Sequence, residues 1–339
     1  MIYTDFLKER SKEQIGMDIY FTPEWGEVNK LIEPGEPFQY VFESKTGCIK
    51  NLIIKREIPR LVDGEQYYDI VTPYGYGGPY IESCVEGKKD QLLEEYKVNF
   101  GRYCNANKIV SEFVRFHPII NNGRDFSRIY EAQCIRQTVG TNLESDDPVA
   151  NEFSKSARKY VRRAVRDGVI WRVTEGPRDV SQFVDIYYST MDRDNATDYY
   201  YFPLEYFNKC LELFRDHILF VEAIFHEKTI AAGFYLCYGD TIHAHLSGTL
   251  KEYLHLSPAY IIKYATAMWG KENGYKRIHY GGGTSNSPED PLFLFKSKFT
   301  KNTFYDFYVG RVVWNQPVYD RLVEMTGKYD TEFFPKYRG

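Results

Sequence analysis

The sequence predicts an α/β protein of the mixed α+β kind: two tandem units with mixed, mostly antiparallel sheets and no coiled-coil arm. Three observations predict it. The 339 residues exceed what one ordinary core holds and suit two domains. The second half reads helix, strand, two helices, three apolar runs, helix, strand. The first half reads as a weaker copy of that order, and no heptad repeat runs through either. The expected units are residues 1–150 and 151–315.

In the first unit, FQYVFES (38–44) and IKNLIIKREI (49–58) are β-rich and joined by a turn at Thr46-Gly47, which predicts a hairpin. YYDIVTPYG continues as a strand into a glycine-rich loop, and LLEEYKVNFGRY predicts a helix. IVSEFVRF (109–116) alternates as a strand that Pro118 ends. RIYEAQCIRQTVG (128–140) reads as the last strand, and GTNLESDDP (140–148) as a linker.

The second unit opens with a helix over residues 154–168, stopped by Gly168. VIWRVTEG is a strand, and two helices follow, the second opened by Pro203. ILFVEAIF, TIAAGFYLCY and TIHAHLSG are joined by the short linkers HEK and GD, so they form an antiparallel meander. Ile261, Ile262, Ala265, Met268 and Trp269 recur at helical spacing before Gly274. KRIHYGGG and TFYDFYVGRVVW are further strands.

Apolar residues at 43% and charged residues at 27% describe a globular chain. A net charge of −4 gives no global field for DNA, so a polyanion such as tRNA would need a local basic patch. The six cysteines form no CxxC, so neither a zinc site nor a disulfide framework is signalled, and a reducing, cytoplasmic setting is expected. The charged N-terminus MIYTDFLKERSKEQ lacks an apolar core, and no run of about 18 apolar residues predicts a membrane span.

Several residues have the chemistry of a site. The loop Thr72–Pro79 holds three glycines, two prolines, Tyr74 and Tyr76, a backbone able to approach a ligand closely. Gly281, Gly282 and Gly283 follow a strand, and amides after a strand can hold an anion or oxyanion. Asp290, Phe295 and Lys296 come close behind, the last an ammonium suited to stabilise a carbonyl oxygen during acyl transfer. Lys155, Arg158, Lys159, Arg162, Arg163 and Arg166 share one helical face with no acid among them, an anion-binding stripe for a phosphate-bearing ligand. His243 and His245 lie two apart on a strand and so share a face. General acid–base work is the more economical reading of that pair, and no metal is expected, although His279 on another strand is a conceivable third ligand. Glu112 and His117 form a second pair, which the strand's period of two puts on opposite faces.

The segments TPYGYGGP (72–79), EFVRFHP (112–118), SKSARKYVRRAVRDGV (154–169) and HYGGG…DPLFLFKSKF (279–299), in this order, resemble the Fem-type branch of the acetyltransferase (GNAT) superfamily. The element order of the second half is also that of an acetyltransferase-type domain. The resemblance implies two GNAT-like domains, with a C-terminal segment (316–339) that packs back on the first. It implies an enzyme moving an aminoacyl group from aminoacyl-tRNA to an amine of a peptidoglycan or surface-polysaccharide precursor, with no tightly bound cofactor. It places Lys296 beside the acyl group and Glu112, His117, His243 and His245 along the acceptor cleft. Phe202 stands where members that hold a nucleotide diphosphate carry a basic residue. Leu254–Ala259 stands where coenzyme A users carry a glycine-rich loop. The alternatives are an acyl-CoA-dependent N-acyltransferase acting on an amino sugar, and a non-catalytic binding protein of the same fold.

Overall fold

A computed structural model describes residues 18–339; the N-terminal reading above lies outside them. The first half contains α1 (Pro23–Asn29), β1 (Glu36–Ser44), β2 (Gly47–Glu57), β3 (Tyr68–Val71), β4 (Tyr80–Cys84), α2 (Lys89–Ala106), β5 (Ile109–Arg115), α3 (Asn122–Asp125), α4 (Ser127–Tyr130) and β6 (Gln133–Asn142). The second contains α5 (Pro148–Glu152), α6 (Lys155–Arg166), β7 (Ile170–Glu175), α7 (Ser181–Arg193), α8 (Leu204–Phe214), β8 (Ile218–Phe225), β9 (Lys228–Tyr238), β10 (Thr241–Thr249), α9 (Pro258–Glu272), β11 (Arg277–Gly281), α10 (Pro291–Lys296), β12 (Phe304–Val313) and α11 (Gln316–Thr326).

Among the described residues, all twelve strands join one sheet. Its order is β1-β2-β3-β5-β12-β6-β11-β10-β9-β8-β7, with β4 pairing β2 off this path. Pairing is antiparallel except for one parallel pair in each half, β3–β5 and β10–β11. β12, late in the chain, runs between β5 and β6 and pairs with both. Segment 128–140 is therefore not one strand. Ser127–Tyr130 form a helical turn that Glu131, at φ 47°, terminates, and β6 starts at Gln133. Residues 140–142, read as linker, are its paired end.

Four buried clusters hold the layers. One joins α6 and α9 to the second-half strands through Ala157, Val161, Ile261, Ala265 and Ile278. Val165 of the same α6 helix does not join it and is 46% exposed. The second lies on the opposite sheet face and packs α7 and α8 with Trp25 of α1. The third covers β2 and β5 with α2, through Ile53, Tyr96, Phe100 and Val114. The fourth seats Tyr319, Leu322 and Val323 of α11 on Val110 of β5 and Ile58. Each fully buried Leu, Ile or Phe contributes roughly 1.5–3 kcal/mol.

α1 positions the glycine-rich loop. Thr22 caps it and Pro23 begins it, a standard N-terminal pairing. Trp25 is fully buried, and its Nε1 donates to the Tyr74 carbonyl at 3.0 Å. Asn29 Oδ1 accepts from the Tyr74 amide at 3.0 Å. Gly78 has φ +82°, and a Cβ there would stand 2.6 Å from Val114 Cγ1. Gly78→Ala combines that clash with an unfavourable φ and is expected to cost about 2–4 kcal/mol in urea unfolding. An unchanged midpoint would show that the loop backbone is free to shift.

Candidate active site

β10 and β11 pair over only three positions, ending at His243 and His279. Beyond them β10 bulges between Ala244 and Leu246 and stays with β9. β11 turns at Gly281, φ +74°, and stays with β6. A fork opens inside the sheet, and both faces bring polar side chains to it.

On the α9–α10 side stands Lys296. Its Nζ donates to the Gly282 carbonyl at 2.7 Å, and a Cβ on Gly281 would lie 3.6 Å from that nitrogen and 3.1 Å from the Tyr76 hydroxyl. Burial, reinforced by the nearby Arg136 guanidinium and opposed by Asp290, lowers its pKa to about 8. Lys263 of α9 is a second amine here, 5% exposed. Its Nζ lies 3.4 Å from Tyr235 Oη and over the Tyr235 and Tyr280 rings, at 5.3 and 4.8 Å. Burial, then the Lys296 charge, lower it to about 7. Sequence reasoning missed Lys263. The signal was a lysine within the apolar face of a helix, three and four residues before the buried Thr266 and Ala267.

On the other face lies a group of Asp18, His117 and His243. Asp18 Oδ2 is 2.7 Å from His243 Nε2 and 3.3 Å from His117 Nε2. All three are buried. Burial opposes ionisation of Asp18, but the His243 and His117 rings outweigh it and hold the carboxyl well below its usual range. His117 is pushed down by burial, against the pull of Asp18. Tyr20 and His279 flank His243 at 4.9 and 5.6 Å between ring centroids. Tyr76 lies among Tyr20, His117 and His279, and burial raises its hydroxyl to about 12 against the effect of Arg136.

These three ligand-type side chains have their facing atoms within 4.8 Å of one another, the residue types of a metal site. Their protonation fits a hydrogen-bonded group better. A coordinating histidine presents a bare nitrogen to the metal and donates from the other. His117 Nδ1 instead accepts from the Ile120 amide at 3.3 Å, which leaves the proton of the neutral ring on Nε2, facing Asp18. His279, named in sequence as a conceivable third ligand, lies outside the group, with Nε2 2.9 Å from Thr138 Oγ1.

With this geometry in place, three comparisons bear on the chain. Residues 151–288 match the acetyltransferase (GNAT) domain family. A UDP-N-acetylmuramoylpentapeptide-lysine N(6)-alanyltransferase of Weissella viridescens is 25% identical, over 95% of this chain and 96% of its own. The structure of FemX superposes with a TM-score of 0.66 over 90% of this chain and 94% of that one, at 12% identity. Residues 151–288 carry a GNAT-type domain, and the whole chain is similar to a Fem-type transferase in sequence and in fold. A conserved protein of unknown function from Bacteroides thetaiotaomicron shares the fold at TM-score 0.54 and 10% identity, over 86% and 90% of the two chains.

The remaining candidates fall in three places. His245 faces the same side as His243 but sits in a separate pocket, its Nε2 2.8 Å from Tyr206 Oη and its ring among Trp25, Tyr74 and Phe202. Burial, then His243, lower it to about 3. Glu112 lies in the α2-covered core, where it accepts from Asn51 Nδ2 at 3.0 Å and Trp314 Nε1 at 3.1 Å. Burial raises it to about 7, against the hydrogen bonds of Asn51, Trp314 and Tyr130. His117 lies beyond the end of that strand, on the histidine side.

In α6 the cations have an acid after all: Arg163 and Arg166 pair with Asp167. Arg158 donates to the Ala150 carbonyl, and Lys155 and Arg162 are exposed. Phe295 packs edge-on against Tyr260 and Phe299.

The amides after the glycine run do not all wait for a ligand. Asp290 Oδ2 accepts from the amides and hydroxyls of Thr284 and Ser285, at 2.8–3.0 Å. Its Oδ1 caps α10 through the amides of Leu292 and Phe293. An internal carboxylate thus takes the place expected of a bound anion, because two turns of backbone donors converge there. Arg136 Nη1 clamps the same loop through the Gly283 and Ser285 carbonyls.

Burial would raise Asp290, but the Phe293 amide and the Thr284 and Ser285 donors hold it well below the usual range. Asp290 therefore stabilises fully above the unfolded-state Asp pKa, about 4, and the contribution is lost as pH falls below it. Asp290→Ala is expected to cost about 1–3 kcal/mol at pH 7 and to flatten the acid limb of a stability–pH curve.

Proposed function

We propose that this protein transfers an aminoacyl group from aminoacyl-tRNA to an amine of a cell-wall or related surface-polysaccharide precursor, in the cytoplasm. The Lys296 ammonium at the fork, fixed by the Gly282 carbonyl, is the observation that carries the reading. An amine attacking an ester carbonyl builds negative charge on the carbonyl oxygen, and a fixed cation in a desolvated site stabilises that charge. The likeness to the Weissella alanyltransferase along nearly the whole chain supports an aminoacyl group as cargo and a wall precursor as acceptor. Residues 1–150 and 151–315 serve as the two units, with the transfer cleft in the second.

Two local features favour tRNA over acyl-CoA as donor. GNAT-type coenzyme binding would use free amides at the start of the helix after the meander. In α9 the first residue is Pro258, which has no N–H, and the Tyr260 amide is bonded to the Ser257 carbonyl. The acceptor side differs as well. Phe202 is 1% exposed and packed against Tyr74 and Tyr206, so this position offers no cation to a diphosphate. Tyr74, Tyr76 and the histidines favour an acceptor held by hydrogen bonds and stacking. The basic face of α6, with Lys155, Arg158 and Arg162, is proposed to meet the phosphates of the donor.

The test is transfer of a labelled amino acid from aminoacyl-tRNA to a wall precursor bearing a free side-chain amine. Lys296→Met is expected to lower kcat about 10²–10³-fold with little change in KM. The ammonium form prevails below pH about 8, so the wild-type rate should lose its Lys296 contribution above that pH. Lys296→Arg should move that limb to higher pH. Full kcat in Lys296→Met, or thermal stabilisation by acetyl-CoA and not by aminoacyl-tRNA, would reject this reading.

A further inference from the structure

We infer that Asp18 and His243 form an acid–base dyad, with His243 Nδ1 as the atom that takes the acceptor's proton and His117 as a locked, neutral support for Asp18. The inference rests on the transfer reading above and supplies its missing proton acceptor.

The argument follows the protons. The Asp18 carboxyl is ionised and has no proton to give, so the ring nitrogen hydrogen-bonded to it must donate; His117 Nε2, at 3.3 Å, is near Asp18 but makes no such bond. His243 presents Nε2 at 2.7 Å, which fixes the neutral His243 ring as the Nε2–H tautomer and leaves a lone pair on Nδ1. That Nδ1 is buried and has no hydrogen-bond partner, an expensive condition for a polar atom unless a substrate group completes it. His117 cannot take this role. Its Nδ1 lone pair is occupied by the Ile120 amide, and its Nε2 proton faces Asp18.

The other titratable groups around His243 are Tyr20, whose hydroxyl is raised by burial first and then by Tyr76 and Asp18, His279, pushed down by burial and then by His243, and His245. None supplies a negative charge. Asp18 is the counter-charge of a His243 imidazolium, as a carboxylate is for the histidine of a hydrolase triad. His243 is also the last residue that β10 pairs with β11, so the bare nitrogen belongs to the residue at the mouth of the fork. Lys296 reaches the same fork from the opposite sheet face.

The step balances. The neutral acceptor amine bonds to the ester carbonyl carbon, and the carbonyl π pair moves to oxygen beside Lys296. The amine nitrogen gives one proton to His243 Nδ1. The oxygen pair then re-forms the carbonyl, the ester C–O bond breaks, and the departing tRNA hydroxyl oxygen receives that proton. The products are an amide and deacylated tRNA, and no redox partner is required.

Two measurements test this on the whole protein. Nitrogen-15 spectra of labelled histidine, without substrate, should show His117 and His243 as Nε2–H tautomers, and Asp18→Asn should release His243 from that state. An Nδ1–H tautomer at His243 overturns the proposal. So does uptake of Zn²⁺ by the wild type that Asp18→Asn abolishes, which would make the group a metal site. In the transfer assay, His243→Gln, which keeps a donor for Asp18 but has no base, should lower kcat about 10²–10⁴-fold with KM within a few-fold. Asp18→Asn should lower kcat with the melting temperature followed in parallel, and a reverse tautomer would account for a loss without unfolding. If His243→Gln keeps kcat within threefold while Lys296→Met loses it, the dyad is wrong and the transfer reading stands. If the wild type transfers nothing, the transfer reading fails, and the dyad's role goes with it.

Discussion

The site depends on one break in a hydrogen-bond ladder. Interior strands of a sheet normally satisfy every backbone group through their neighbours. Here β10 and β11 part after three residue pairs, in the middle of a twelve-stranded sheet. The bulge at His245 and the left-handed turn at Gly281 are the local devices that hold the two strands apart. In the transfer proposed above, a gap between interior strands would let one carbonyl be reached from both sheet faces. On one face the protein places amines, Lys296 and Lys263; on the other it places a carboxylate and imidazoles.

That division has an electrostatic logic. The Lys296 charge helps to depress Lys263, and Arg136 helps to depress Lys296, so the α9–α10 side gathers positive charge. Among the described residues, the buried anion on the histidine side is Asp18, held ionised by its two rings. An acyl transfer needs a cation where oxygen becomes negative and a base where nitrogen becomes positive. Keeping these on separate faces prevents Asp18 from cancelling the lysine charge. Asp290 helps the cation side in a different way. Its carboxylate is spent on the backbone of its own loop, and it stiffens the segment that carries Lys296.

Much of this was legible in sequence, for physical reasons. The meander, α9 and β11 were readable because apolar runs with short polar linkers leave few alternatives. His243 and His245 were placed on one face by strand period alone. Lys296 stood out because a glycine run and a lysine bracket one short helix. The rest required long-range contacts. Asp18 meets His243 across more than two hundred residues, and nothing local in the chain marks it. The turn at Ser127–Tyr130 was hidden because its aromatic and β-branched residues suit a strand equally well. The cation stripe of α6 looked unpaired because its acid, Asp167, lies just past the helix end. Glu112 was grouped with His117 by nearness in sequence, although strand alternation sends it into a different core.

The position of β12 has a consequence for how the chain reaches its fold. β5 and β6 are complete by residue 142, yet their shared neighbour is residues Phe304–Val313. As the chain leaves the ribosome, the β12-facing edges of β5 and β6 remain unpaired until almost all of the second half has been made. Unpaired strand edges invite pairing with other chains, and contacts of such sequence separation form slowly. The first half is therefore not an autonomous folding unit in this architecture. A nascent chain stalled before residue 304 would present two open edges.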